Sequence, residues 1–126
     1  MSEILDGGFR PAVLAVEYNS AFGPDASLTI KYDPGFVIDM MGDQYLYYGV
    51  SITAWRRFLG GYGYRFVCVD SRGVNAFFIM PDRFESAFVE NISGYNYREN
   101  FYQMRKYKCE WRQQFESISH REFIEI

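Results

Sequence analysis

The sequence is poor in the residues from which metal centres and disulfide frameworks are built: two cysteines, Cys68 and Cys109, and one histidine, His120, in 126 residues. The cysteines stand far apart, without a CxxC spacing or a paired histidine, which excludes a zinc site of any standard pattern. They read as reduced thiols, Cys68 within a strand, and the expected compartment is cytoplasmic. His120 has no serine or cysteine that the sequence can set beside it, so it is given no catalytic role. Long apolar runs are missing as well. Pro11 to Val16 and Ala76 to Pro81 are short against the roughly 20 residues of a membrane span, and no membrane association is expected. No basic segment followed by an apolar one opens the chain, so no secretory signal is expected. Positive charge is not in excess: the net charge is −3, the wrong sign for a default nucleic-acid binder. With only 4 prolines and 48% hydrophobic residues, a disordered or collagen-like chain is excluded.

What the chain has in surplus is aromatic residues, 12 Phe, 11 Tyr and 2 Trp. Its length supports one domain, residues 1–126, with one core, and so many rings exceed what that core would hold. Some must line a surface, an interface or a pocket.

Hydrophobic patterning predicts a mixed α/β order. Pro11 to Tyr18 is a near-continuous apolar run and reads as a strand buried on both faces. Two turn signals follow, Gly23-Pro24-Asp25 and Asp33-Pro34-Gly35, with a short extended segment from Ser27 to Tyr32 between them. Ile52, Trp55, Phe58 and Leu59 make one apolar helical face within Tyr48 to Leu59. Ser51 caps that helix and Gly60-Gly61 is expected to end it in a left-handed conformation. Tyr64 to Val69 and Val74 to Met80 are strands joined by Asp70-Ser71-Arg72-Gly73, a turn short enough to make them antiparallel neighbours. The strand before the helix and the strand after it flank a βαβ crossover and should be parallel and right-handed, the third adding an antiparallel element to an otherwise parallel sheet. Farther on, Phe84 to Val89 reads as one or two helical turns, Phe101 to Phe115 as helix-friendly, and Phe123 to Ile126 as a short terminal strand.

The strings Val16-Glu17-Tyr18-Asn19, Phe22-Gly23-Pro24, Tyr32-Asp33-Pro34, Tyr48-Gly49-Val50-Ser51, Gly63-Tyr64 and Gly73-Val74-Asn75-Ala76-Phe77-Phe78 resemble one group of SAM-dependent methyltransferase-like proteins, broadly the FkbM-like group. The resemblance extends over most of the chain and reaches Gln114-Phe115 and Phe123 to Ile126. It implies a partial Rossmann-like sheet in which Pro11 to Tyr18 is the fifth strand and the hairpin is the sixth and seventh, with the antiparallel last strand slipped in beside the fifth. It also exposes a departure. The family's glycine-rich first βα turn and the acid ending its second strand hold the cofactor, and neither is present here. Asp6-Gly7-Gly8 follows no predicted strand and does not serve. The chain therefore resembles the carboxyl-terminal half of such a domain. No cofactor is expected for it alone, SAM only if a partner supplies the missing half.

Open α/β sheets bind ligands beyond the carboxyl ends of parallel strands, which makes Glu17, Asn19, Tyr48, Ser51 and Asn75 the candidate ligand-binding residues. A carboxylate beside an amide at Glu17 and Asn19 suits hydroxyls, a base edge or a metal; the alternative is an Asx turn and bonds to loop amides. Tyr48 and Ser51 open a helix at the same rim, where Ser51 is equally a plain N-cap. Asn75, alternating with apolar neighbours, either faces solvent or is a buried amide needing partners, for which a bond tying strand to loop is the plainer use. Asp33, Asp39 and Asp43 lack EF-hand spacing and read as a solvated loop, and Arg105-Lys106-Tyr107-Lys108 with Tyr102 and Trp111 as a solvated face rather than a single-strand binder. No metal site is expected. The function expected is a non-catalytic small-molecule- or partner-binding module, with a homo-oligomer or partner chain covering an open sheet edge. The alternatives are the substrate-side half of a split methyltransferase and a purely structural module.

Overall fold

The computed structural model describes residues 1–31 and 46–126; the turn expected at Asp33-Pro34-Gly35 and the acids Asp39 and Asp43 lie outside them. In chain order the elements are α1 (Ser2–Asp6), β1 (Val13–Glu17), β2 (Leu28–Ile30), α2 (Ile52–Gly60), β3 (Arg65–Val69), β4 (Asn75–Ile79), α3 (Ser86–Asn91), α4 (Phe101–Tyr107), α5 (Trp111–Ile118) and β5 (Phe123–Glu125). This is a mixed α/β architecture with two antiparallel sheets, one ordered β1-β4-β3 and the other pairing β2 with β5.

β1 and β3 run in the same direction, as expected of the strands flanking α2, but they are not neighbours and the otherwise parallel sheet is not found. The hairpin brings β4 back along β3 as its turn chemistry dictates, and β4 then spends its second edge on β1, so both ladders are antiparallel. Two strands each antiparallel to β4 run in the same direction as one another, but β4 lies between them. The helix that links them therefore spans an occupied position, and the sheet has no parallel ladder.

Burial of β1 also departs from expectation. Instead of being covered on both faces, the strand alternates: Val16 is buried, while Val13, Ala15 and Glu17 are exposed. Val16, Ala76 and Phe78 face a core built with Ile52 and Leu59 of α2 and Leu5 of α1. On the other face, Val89 of α3 packs against Val67 and Ile79, leaving the β1 end uncovered, with Val13 52% exposed.

The β1 margin is open in its backbone too. Tyr18 N–H donates to Val74 O and Met80 N–H to Ala12 O, so in this register the even-numbered residues bond β4 and Val13, Ala15 and Glu17 point their amides and carbonyls outward. One of those groups is engaged: the Trp55 indole N–H donates to Glu17 O at 2.8 Å. Among the described residues no other backbone pairs with this edge. The amino-terminal arm packs away from this edge. Leu5 enters the core, Tyr62 O–H donates to Asp6 Oδ1 at 2.6 Å, and the Arg10 guanidinium lies over the Tyr62 ring.

The other local expectations fare variously. Ser51 caps α2 as read, its Oγ accepting from Ala54 N–H at 3.1 Å. Gly61 stays right-handed and the positive φ of +90° falls at Gly63, two residues on. Phe101 to Phe115 divides into α4 and α5 because Lys108 turns left-handed at φ 54° and Glu110 begins a new helix through a capping box with Gln113. Phe123 to Ile126 does supply a strand, β5, held to β2 and clasped by Ser27 Oγ–H donating to Ile126 O at 2.7 Å.

Much of the aromatic surplus is absorbed by a second, smaller core. Phe22, Leu46, Tyr47 and Ile118 are buried there with Phe115 and Phe123 packed against them. Phe123 meets both Phe22 and Tyr47 edge-on at centroid separations of 5.4 Å, the arrangement that ring quadrupoles favour.

Candidate functional site

The carboxyl ends of β1 and β3 point to one rim of the sheet, where the chain following β1, the start of α2 and the segment from Tyr95 to α4 converge. The Tyr95 segment is tied on by Val69 N–H donating to Tyr95 O at 2.8 Å. Three tyrosine and serine contacts continue the seam. Tyr18 O–H donates to Arg98 O at 2.5 Å, Tyr97 O–H to Ser20 O at 2.6 Å, and Asn100 N–H to Ser20 Oγ at 2.8 Å.

Behind the seam lies a buried cluster of side-chain amides. Asn19, with no exposed surface, uses all of its capacity. Its Nδ2 donates to Leu46 O (2.6 Å) and Tyr48 O (3.0 Å), and its Oδ1 accepts from Ala21 N–H (2.9 Å) and Gln103 Nε2 (3.4 Å). Gln103 also donates to Gln114 Oε1 at 3.2 Å and accepts from Tyr48 O–H at 2.7 Å. Gln114 Nε2 in turn donates to Cys109 O at 2.8 Å. A buried polar group must find partners or cost the fold dearly, and this set finds them in itself.

The five candidate residues are thus distributed over several tasks. Asn19 and Tyr48 are brought together through Gln103. Ser51 is wholly buried, its Oγ accepting from Leu28 N–H at 2.9 Å as well as from Ala54. Asn75 belongs to the hairpin turn, its Nδ2 donating to Asp70 Oδ2 at 3.1 Å while Asp70 Oδ1 accepts from Val74 N–H at 2.9 Å. Glu17, register partner of Asn75, has an exposed side chain apart from the amide cluster. Asn100, Gln103 and Gln114 were not among the candidates. Asn100 carries a readable sign, an asparagine just ahead of a helix-friendly run, and its Oδ1 does accept from Tyr102 and Gln103 N–H. Nothing local marks the two glutamines.

What stays open at the rim is a cleft of about 350 Å³ lined by Ser71, Tyr97, Arg98, Glu99, Phe101 and Met104. Among the described residues no group of three or more His, Cys, Asp or Glu could hold a metal ion, and no helix is long and apolar enough to cross a membrane. No family model, no curated protein and no solved structure matches the chain.

Burial in the seam pushes the Tyr18 hydroxyl up to about 12. Tyr97 is raised as well, by burial first and by the Glu99 charge second. In the unfolded chain both titrate near about 10. Because the folded values are raised, the stability these phenols contribute is complete below pH ~10 and is lost as pH rises from there through the folded Tyr18 value. Alkaline unfolding followed by circular dichroism is expected to begin in that window, and Tyr18→Phe to flatten the decline. An equally steep decline in Tyr18→Phe would count against this assignment.

Proposed function

We propose that the chain is a partner-binding module built like the carboxyl-terminal half of a class I methyltransferase-like domain, with β1 as the edge that receives a strand the described residues do not supply. The observation that carries this reading is the order β1-β4-β3 with an open β1 margin. Two strands of common direction separated by an antiparallel one are what the resemblance implies for the end of such a sheet. The outward amides and carbonyls of Val13 and Ala15, beside an uncovered apolar face, suit strand addition. The reading is non-catalytic: the polar side chains of Asn19, Tyr48, Ser51 and Asn75 are engaged in holding loops, and the sequence has no glycine-rich cradle for SAM.

For the isolated chain the readiest occupant of the edge is a second copy. Light scattering is expected to show self-association rising with concentration toward about 100 μM, and Val13→Lys to return the chain to monomer, since a charge on an edge strand blocks pairing. Val13 is exposed, so the free energy of unfolding should change by no more than about 0.5 kcal/mol. Calorimetric titration is expected to show no uptake of SAM or S-adenosylhomocysteine. Micromolar binding of either, or association unaffected by Val13→Lys, overturns the proposal.

A further inference from the structure

We propose that the rim cleft is a binding site for a small phosphorylated polyol or sugar. Three kinds of group line it, and each answers a different part of such a ligand. Tyr97, Phe101 and Met104 form an apolar wall suited to the C–H face of a sugar ring. Arg98 is the cation of the lining, and Arg72, not itself a lining residue, sets a second guanidinium beside it, 4.4 Å over the ring of the lining Phe101. Neither arginine has a carboxylate partner among the described residues; Arg98 is held by the Tyr95 ring at 4.5 Å instead. Guanidiniums on aromatic faces keep their in-plane donors available for an anion, and a doubly charged phosphate monoester matches two of them better than a single carboxylate does.

Glu99 gives the cleft its polarity. Its Oε1 accepts from Trp111 N–H at 2.5 Å, while its second oxygen has no partner among the described residues. With the Ser71 hydroxyl beside it, that oxygen can accept from a ligand's hydroxyls and would repel a phosphate set against it. The phosphate therefore goes to the arginines and the hydroxyls to Glu99.

The lining is fixed before any ligand arrives. Arg98 is bonded through both backbone groups to the Tyr18 hydroxyl (2.5 and 3.3 Å), and Phe101 N–H donates to Arg72 O at 2.9 Å. A preformed wall spares the ligand most of the ordering cost. None of this depends on the β1 edge, so either proposal can fail without the other.

The test is an amide-resonance titration of the full chain with ribose phosphate (the ester of the primary hydroxyl), with inorganic phosphate and ribose as separate arms. Ribose phosphate is expected to shift Ser71, Arg98 and Phe101 amides saturably with a Kd at or below about 1 mM, at least about tenfold tighter than either component. Arg98→Ala should abolish the response to inorganic phosphate and weaken ribose phosphate about tenfold. Glu99→Gln keeps the bond to Trp111 N–H, and should weaken ribose phosphate while leaving inorganic phosphate unchanged or tighter. Unperturbed amides elsewhere in each variant's spectrum establish that it is folded. Equal affinity for phosphate and ribose phosphate, shifts outside the cleft, or none up to about 10 mM would overturn the assignment.

Discussion

Replacing Gly73 by alanine is expected to destabilise the protein by about 4 kcal/mol, a large part of the 5–15 kcal/mol that holds a small domain folded. Gly73 sits at φ +70°, and a methyl there would lie 2.6 Å from Arg98 O and closer still to the carbonyl of Glu99. The left-handed conformation alone costs alanine about 1–2 kcal/mol. The overlap is with backbone rather than a flexible side-chain tip, so the segment at Arg98 and Glu99 must retreat. Retreat loosens Tyr18 to Arg98 and Asn100 to Ser20, at about 1 kcal/mol for each hydrogen bond. Urea unfolding measures the loss. Gly60→Ala is the control: it ends α2 with open space around the new methyl, and should be neutral or stabilising by up to about 1 kcal/mol. A loss below about 1 kcal/mol in Gly73→Ala would show that the turn does not lean on the Tyr95 segment as described.

Asn19→Ala is expected to cost as much, by another route. It leaves Leu46 O, Tyr48 O, Ala21 N–H and one donor of Gln103 facing a small apolar space. Each stranded group costs about 1–3 kcal/mol, reduced where water enters, for a total of roughly 4 kcal/mol. Asn19→Asp is the sharper experiment because shape is retained. An ionised carboxylate would set the charged oxygen that replaces Nδ2 against the carbonyls of Leu46 and Tyr48 with no surrounding water. Its folded pKa is therefore raised above that of a free aspartate, about 3.9. A raised folded value means the variant is most stable in acid and loses stability as pH climbs above that point. Asn19→Asp should approach the parent protein near pH 4 and fall well below it at pH 7. Parallel curves for variant and parent across that range would mean the amide cluster is hydrated, contrary to the geometry.

Local signals in the sequence translate well into structure. Ser51 ahead of an apolar helical face is a cap; Gly73 after Asp70-Ser71-Arg72 takes positive φ. Both are decided within four residues, where hydrogen-bond geometry and Cβ sterics act. β1 and β3 share the expected direction without being neighbours, because direction and adjacency are separate properties: β4, arriving later in the chain, decided the second. The exposure of Val13 and Ala15 follows from what fails to cover β1, which no pattern inside Pro11 to Tyr18 encodes. The amide cluster was the least legible. Gln103 and Gln114 look like ordinary polar positions in a helix-friendly stretch, and Asn19, which Gln103 bonds, lies more than eighty residues away. Even Lys108, whose left-handed turn separates α4 from α5 and lets the two glutamines meet, is no glycine or asparagine to announce it.

Of the three apolar clusters, the two on the faces of the larger sheet and the aromatic one are held with unequal strength. The first two are clamped by β4, bonded on both sides, whereas the aromatic one is fenced by β2 and β5 of three residues each. Free energies of local opening follow contact density, so Phe22 and Phe123 can lose their mutual packing in excursions that leave Val16 and Phe78 undisturbed. Hydrogen exchange is then expected to reach the amides of Phe22 and Phe123 well before those of Val16 and Phe78.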